Sequence, residues 1–212
     1  MANPLQCEVR DLGIITYQDA WDLQEKLRAE RLAGEIPDTL LLLEHPPVFT
    51  LGRRPCETDL LVPREVLQDA GIEVIQSNRG GRITYHGPGQ LVGYFIFSLD
   101  SVKKSVQEFV CAVEELCRLT IADFGVVGTR DQEHPGIWIG KNKIAAVGMH
   151  FSRGVSQHGF ALNVNPNLMH YQYIIPCGIH DRGVASLESL LPESPSMNAV
   201  KERLQTHLRE VF

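Results

Sequence analysis

Four strand-like segments follow one another, with no helix between them, over residues 125–165 of this 212-residue chain. They read GVVGT, GIWIG, KIAAVGMHF and HGFALNVN, and glycine or polar residues separate them. Neighbouring parallel strands need a crossover of about a dozen residues or more, usually a helix, whereas antiparallel strands need only a short turn. The spacing therefore predicts a largely antiparallel sheet, including a hairpin whose tip lies near Gly140 to Asn142.

The rest of the chain adds further strands and about four helices. Apolar residues at helical spacing predict the helices, which cover residues 16–34, 63–70, 101–125 and the chain from Asn198 onward. Apolar runs bounded by proline or glycine predict strands at 38–45, at 72–76 and on both sides of the loop 87–89. We therefore expect one domain over residues 1–212 with an α+β fold, a mixed, largely antiparallel sheet flanked by helices.

Charge and cysteine content exclude several classes of protein. A net charge of -6 gives no overall attraction to nucleic acid or to an anionic membrane. No apolar run reaches the length of about 18 residues that a membrane span needs, and the first residues lack the apolar core of a secretory signal. The five cysteines form no C-x-x-C pair, which argues against a disulfide framework or a zinc site. We expect a cytoplasmic protein without nucleic-acid, membrane or metal partners.

A segment rich in glycine and arginine, RGGRITYHGPGQ, covers residues 79–90. Adjacent glycines allow the backbone to approach a ligand closely, and their N–H groups can bind an anion or a carbonyl oxygen. The segment lacks both the P-loop pattern and the dinucleotide-binding glycine pattern. It is either a binding loop or a glycine-rich hairpin with exposed arginines.

Cys177 lies between a proline and a glycine in the segment IIPCGI. A free thiol has a pKa of about 8.5, so a nucleophilic cysteine needs a partner that takes its proton. Lys143, just past the hairpin tip, is one candidate, and His86 and His158 are the competing bases. The alternatives are an inert core thiol, a solvated lysine and hydrogen-bonded histidines.

Taken together, these segments resemble the octanoyltransferases of lipoate biosynthesis, also called lipoyl(octanoyl) transferases. The family signature R-G-G-x-x-T-[FYW]-H-x-x-[GH]-Q-x-[LIV]-x-Y is matched at every specified position by RGGRITYHGPGQLVGY. The stretches EHPPVFTLGRR, GIWIGKNKIAAVG, HGFALNVNPNL and IIPCGI are also similar to the family, in the same order. One departure is Ala185-Ser186, where members often carry Thr-Ser.

The resemblance implies a fold like the catalytic domains of biotin and lipoate protein ligases, and it implies a site. Cys177 is then the nucleophile that holds the acyl group as a thioester, and Lys143 is the residue that takes up and returns protons. The implied substrate-binding residues are Arg79, Gly80, Gly81, Arg82, Ile83, Thr84, Tyr85, His86, Ala146, Val147, Gly148, Gly159, Phe160 and Ala161.

The implied reaction transfers an octanoyl group from octanoyl-acyl carrier protein to a lysine of lipoyl domains, without any cofactor. The acceptors are the lipoyl domains of 2-oxoacid dehydrogenase complexes and the glycine cleavage H protein. Three alternatives remain open: an ATP-dependent ligase on the same fold, a cysteine thioesterase with a histidine base, and a noncatalytic module that binds acylated carrier protein.

The carrier domains are expected to be acidic, so a negatively charged enzyme needs a local basic surface to attract them. Scattered solvated charges are the alternative. The residues of this predicted basic rim are Arg53, Arg54, Arg79, Arg82, Lys141, Arg153 and Arg182.

Overall fold

Two β-sheets organise the computed structural model, which describes residues 6–54, 59–175 and 182–212. The strands are β1 (Cys7–Ile14), β2 (Asp38–Glu44), β3 (Val48–Leu51), β4 (Glu73–Gln76), β5 (Ile83–His86), β6 (Gln90–Ile96), β7 (Thr129–Arg130), β8 (Gly136–Ile139), β9 (Asn142–Ser152), β10 (Val155–Asn163) and β11 (Gly183–Val184). The helices are α1 (Tyr17–Leu32), α2 (Arg64–Asp69), α3 (Leu99–Val102), α4 (Val106–Ala122), α5 (Leu187–Leu190) and α6 (Met197–Val211), with a 3₁₀ helix over Leu168–Tyr173.

The large sheet has the strand order β1-β2-β6-β10-β9-β8-β7, and β11 pairs with β9 beside it. Its pairs are antiparallel except β1 with β2 and β11 with β9. The small sheet has the order β4-β3-β5. The predicted α+β fold with a mixed, largely antiparallel sheet is confirmed, and the hairpin between β8 and β9 turns at Gly140 and Lys141 as expected.

The helix predicted over residues 101–125 is in fact two helices. Helix α3 ends before Lys103, which has a left-handed backbone with φ of 52°. Helix α4 begins after Ser105, where the Ser105 hydroxyl accepts from Glu108 N and the Glu108 carboxylate accepts from Ser105 N. This reciprocal capping box fixes the start of a helix. The apolar periodicity runs through both segments, which is why the pattern alone merges them.

The predicted strand GVVGT is mostly a loop. Only Thr129 and Arg130 form a strand, and Val127 is 82% exposed. Gly128 packs so closely that an added Cβ would lie 2.4 Å from Ile137 Cγ2. The loop therefore closes against β8 through a glycine instead of continuing the sheet.

The two faces of the large sheet bury different helices. One face, which includes Phe95 and Phe160, packs against α4 and α6, and Phe109 of α4 belongs to the same cluster. The other packs against α1 and includes Tyr94 and Ala161. Residues 160 and 161 thus face opposite sides, as the two-residue period of a strand requires.

The small sheet lies on the α1 side of the large sheet. Val48 of β3 belongs to the core cluster on that side, and Ile75 of β4 packs against the cluster. Strand β5 divides its own side chains, because Ile83 and Tyr85 are buried in a third cluster with α2 and the 3₁₀ helix. Thr84, between them, faces the large sheet. The space between the two sheets is where the candidate site lies.

Candidate active site

A slot lies between β9 and β10 of the large sheet and the segment from Arg79 to His86. Its volume is about 490 Å³, its open mouth included. The residues that line it are Arg79, Gly80, Gly81, Thr84, His86, Tyr94, Lys143, Ala146, Val147, Gly148, His158, Gly159, Phe160 and Ala161. The glycine-rich segment, the start of β9 and the middle of β10 therefore meet around one space.

Three of the predicted substrate-binding residues do not line this slot. Ile83 and Tyr85 point into the cluster behind the small sheet, since they alternate with Thr84 and His86. Arg82 donates from Nε and Nη2 to the carboxylate of Asp59, at 2.7 and 2.5 Å, and lines the groove outside the slot. Tyr94 lines the slot but was not singled out, although its place in the signature could have drawn attention to it.

Small residues hold the slot open. Ala161 pairs with Ala146 across β9 and β10, and Gly159 pairs with Gly148. A Cβ on Gly148 would lie 3.2 Å from Gly80 O. Gly80 N in turn donates to Met149 O at 3.0 Å, so the glycine-rich loop is hydrogen-bonded directly to β9. The two glycines therefore allow the backbone of the loop to lie against the backbone of β9.

Arg79 is an interior residue and is only 8% exposed. Its guanidinium donates to Thr50 Oγ1 at 3.0 and 2.8 Å, to Thr50 O at 2.5 Å and to Gly80 O at 2.9 Å. An exposed arginine on a hairpin, one reading of the sequence, is therefore wrong for this residue. Arg79 also cannot belong to a basic rim on the surface.

Three buried histidines lie beside or behind the slot. Burial lowers the pKa of His86 well below its ordinary value, of His158 to about 3 and of His45 to about 4. The nearby charge of Arg79 further lowers the pKa of His86 and His158. All three imidazoles are therefore neutral near pH 7 and poor acceptors of a proton in a reaction.

Each histidine is held by its neighbours. His45 Nδ1 donates to Ile15 O, so its Nε2 accepts from Tyr94 Oη, both at 2.8 Å. His86 pairs with Gln90 Oε1 at 2.7 Å.

His158 has an unusual positive φ of 58°, and its backbone N donates to Gln24 Oε1 of α1 at 2.8 Å. Such a backbone costs about 1–3 kcal/mol and persists only where surrounding contacts fix it.

Lys143 is buried at the end of the slot, with 9% exposure. Its Nζ donates to Pro135 O at 3.0 Å and lies 4.6 Å from the centroid of the Trp138 ring.

The pairing of β8 and β9 shifts by one residue at Lys143, since Ile137 pairs with Ala145 but Trp138 with Lys143. This bulge at Ile144 turns Lys143 to the same face as Ala146. A solvated hairpin lysine, the alternative reading, is therefore wrong.

Cys177 lies outside the described residues, but the chain on both sides of 176–181 is described. Before it, Ile175 N donates to Asp59 O at 2.8 Å. After it, β11 runs parallel to β9 with Val184 opposite Lys143, and Ala185 N donates to Lys143 O at 3.0 Å. The segment that contains Cys177 therefore leads directly into a strand beside Lys143.

The departure at Ala185-Ser186 has a visible structural setting. Ala185 is buried, and its carbonyl accepts from Asn163 Nδ2 at 2.9 Å. Ser186 caps α5 through a capping box with Ser189. The serine of this pair thus has a local structural role.

A wider groove adjoins the slot at Gly80, Lys143 and Gly148. Its apolar lining includes Val106, Val110, Met149 and Phe151, and two arginines, Arg54 and Arg82, also line it. Within the described part of the chain, no set of three or more His, Cys, Asp or Glu side chains is placed to bind a metal. None of the described helices is long and apolar enough to span a membrane.

Comparison with known sequences identifies the family. The lipoyl protein ligase A/B catalytic domain matches residues 16–209. An octanoyltransferase of Caldicellulosiruptor saccharolyticus is 44% identical over 203 residues, covering 95% of this chain and 86% of that protein. An octanoyltransferase of Alkaliphilus metalliredigens is 44% identical over 209 residues, covering 98% and 96%.

Solved structures show the same fold. Lipoate-protein ligase A bound with ATP superimposes with a TM-score of 0.72 at 14% identity, covering 99% of this chain and 85% of that one. The biotin protein ligase of Aquifex aeolicus in complex with biotin and ATP gives a TM-score of 0.58 at 14% identity, covering 96% and 69%. The expected likeness to these ligases is confirmed for the fold. Together with the close relatives over nearly its full length, these findings show that the chain belongs to the octanoyltransferases, acyltransferases built on the lipoyl protein ligase A/B catalytic domain.

Proposed function

We propose that this enzyme transfers an octanoyl group from octanoyl-acyl carrier protein to a lysine of lipoyl domains through a thioester on Cys177. The observation that carries the proposal is the position of Lys143, which is buried at the end of a slot floored by small residues and lies beside the strand that follows Cys177. A thiol nucleophile needs such a group to take its proton.

The first half-reaction moves the acyl group to the enzyme. Lys143 accepts the Cys177 thiol proton, and the thiolate attacks the carbonyl carbon of the donor thioester. The bond from that carbon to the pantetheine sulfur breaks, and the leaving thiolate takes the proton back from Lys143. The balance requires no ATP, because the donor is already a thioester.

The second half-reaction moves the acyl group to the acceptor. The neutral amine of the acceptor lysine attacks the acyl carbon, and the bond to the Cys177 sulfur breaks. Lys143 takes the proton that the new amide loses and returns it to the Cys177 thiolate. The two half-reactions therefore regenerate the starting enzyme, and Lys143 transfers the proton in both.

The slot suits an unbranched acyl chain. Ala146, Gly148 and Ala161 present no group larger than a methyl, and each methylene removed from water contributes about 0.8 kcal/mol to binding. Lys143 lies at one end of this surface. His158 lies further along it, since it pairs with Met149, which follows Lys143 by six positions on β9. The carbonyl end of the chain is thus assigned to the Lys143 end, and the methyl end to the interior.

The buried histidines favour lysine over histidine as the base. A base with a pKa near 3, as burial gives His158, holds a proton too weakly to shuttle it near pH 7. This weighs against a thioesterase that depends on His86 or His158.

The acceptors we propose are the lipoyl domains of 2-oxoacid dehydrogenase complexes and the glycine cleavage H protein, with the reaction taking place in the cytoplasm.

The intact mass of the enzyme after incubation with octanoyl-acyl carrier protein tests this proposal, with neither acceptor nor ATP present. We expect one octanoyl adduct, located on Cys177 by peptide mapping, in the wild type and in the control Cys111→Ser. Cys177→Ser should form no thioester. An adduct that requires ATP would support the ligase alternative, and full transfer by Cys177→Ser would overturn the thioester scheme.

A further inference from the structure

The ring of Trp138 contacts two cationic side chains beside the slot. Lys143 Nζ lies 4.6 Å from the ring centroid, and so does Cζ of the Arg182 guanidinium. Trp138 is itself only 3% exposed. Tryptophan has the strongest π face for a cation, and the attraction grows where water is excluded. Because Trp138 and Lys143 are both buried, their contact is expected to be stronger than a cation–π contact on the surface.

The plane of the indole is fixed independently of the two cations. Trp138 Nε1 donates to His134 O at 3.1 Å. The turn that carries this carbonyl is shaped by Asp131, whose Oδ1 accepts from Glu133 N at 2.9 Å and from His134 N at 3.0 Å. Asp131 Oδ2 also pairs with Arg182 Nη1 at 2.5 Å. One carboxylate thus orients the ring and holds one of its cations.

The start of β8 is anchored as well. Lys143 Nζ donates to Pro135 O, and the next residue, Gly136, donates its N–H to Glu114 Oε1 at 2.7 Å. Glu114 belongs to α4, so the carbonyl that receives the lysine is attached to the core helix. A carbonyl and a ring therefore both contact the lysine head group, and both of these supports are themselves fixed.

We propose that Trp138 is a positioning residue for Lys143, and that the aromatic face of its ring, more than its volume, holds in place the ammonium that Lys143 becomes each time it takes a proton. The proposal rests on the proposed function, in which Lys143 exchanges protons with the thiol and the amine. A lysine head group sits on a flexible four-carbon chain, and a small displacement of a catalytic group lowers the rate strongly. Through Arg182 the same ring supports the chain at the entrance to β11.

Two substitutions separate the face of the ring from its bulk. Trp138→Phe keeps an aromatic face, whereas Trp138→Leu removes it. We expect Trp138→Leu to lower kcat about tenfold with little change in KM for the octanoyl donor, and Trp138→Phe to retain most of kcat. Equal losses in both variants, or a loss confined to KM, would overturn the proposal.

Fluorinated tryptophan provides a graded test in the folded enzyme. Fluorine withdraws electron density from the ring with little change in its shape, so each added fluorine weakens attraction for a cation. The chain has two tryptophans, Trp21 and Trp138, and Trp138→Phe grown on the same amino acids reports the effect of Trp21 alone. We expect kcat to fall stepwise with fluorine number in the wild type only. A flat series would show that the ring acts through packing, and the proposal would fail.

The Lys143→Met background separates this proposal from the proposed function. If Trp138 acts through Lys143, Trp138→Leu causes no further loss of the residual single-turnover rate in that background. A further loss as large as in the wild type overturns the positioning role. Unchanged transfer by Lys143→Met itself would instead remove Lys143 from the proposed mechanism, so the two failures are distinguishable.

Discussion

Gly148 leaves the floor of the slot open opposite the glycine-rich loop. A Cβ at this position would lie 3.2 Å from Gly80 O, and the branches of a valine would enter the slot. Forcing extra carbon atoms into a packed site costs about 1–3 kcal/mol. We predict that Gly148→Val lowers kcat/KM for an octanoyl donor about tenfold or more and lowers that for a butanoyl donor much less. An unchanged octanoyl-to-butanoyl ratio in a folded variant would contradict the assignment of the slot.

The surroundings of His158 lead to a prediction about the titration of its imidazole ring. Burial and the charge of Arg79 lower its pKa to about 3, so its ring should stay neutral where an ordinary histidine titrates. We expect its imidazole proton resonances to show no titration between about pH 5 and 8 in the folded enzyme. His158→Asn, which tolerates a positive φ, identifies the signal. A midpoint near 6.5 would contradict the buried, neutral ring.

The sequence locates Lys143 at a hairpin but cannot show that the lysine is buried. That outcome depends on the bulge at Ile144, which reverses the alternation of β9, and on Trp138 from the paired strand. Neither feature can be predicted from the hydrophobic pattern. A bulge changes the face of the sheet on which a side chain lies, but it leaves the order of apolar and polar residues unchanged. The roles of Lys143 and Cys177 come from resemblance to the family, and they stay predictions.

At the scale of elements, the periodic segments are the ones that the sequence predicts well. The helices near both ends of the chain and the strands β8 to β10 lie close to their predicted positions. The division between α3 and α4 is missed, since the reciprocal cap at Ser105 competes with an unbroken apolar stripe. The helices at 168–173 and 187–190 are too short for the helical periodicity of apolar residues to be recognised.

The contact between α4 and α6 has a pH dependence of its own. His207 on α6 pairs with Glu210 at 2.8 Å and with Asp123 at the end of α4 at 3.0 Å, and these carboxylates raise its pKa. A raised folded-state pKa stabilises the fold below the unfolded value of about 6.5, and that contribution disappears as pH rises through the folded value.

We therefore predict that His207→Gln lowers the Tm more at about pH 5.5 than at about pH 8.5. Thermal unfolding of both proteins at the two pH values measures this. An equal decrease at both would show that the pairs do not depend on the charge of the ring.

At the scale of the whole molecule, the slot is a consequence of how two sheets meet. The small sheet brings the segment 79–86 over β9 and β10, and the pairing of β11 with β9 brings the chain after residue 181 to Lys143. Segments distant in sequence therefore supply the slot and its lysine. The sequence predicts the fold class from adjoining strands, but it cannot show that a separate three-stranded sheet forms the second wall.

The same arrangement makes the fold sensitive to acid. His45, His86 and His158 are buried neutral, and their lowered pKa values mean that the unfolded chain binds more protons below about pH 6.5. Stability is then fully present above that value and is lost as pH falls, by up to roughly 1.4 kcal/mol per pH unit for each group. We predict a steep decrease in the free energy of unfolding between about pH 6 and 4. Urea titrations that give a flat profile there would contradict the buried, neutral histidines.

The central claim is that the octanoyl group passes through the enzyme itself. The most direct test isolates the octanoyl-enzyme, free of donor, and mixes it with a lipoyl domain in a rapid-quench experiment followed by mass spectrometry. The account predicts that the octanoyl mass leaves Cys177 and appears on one acceptor lysine at a rate at least equal to kcat. An adduct that stays on the enzyme, or that transfers more slowly than kcat, would show that the thioester lies off the reaction path.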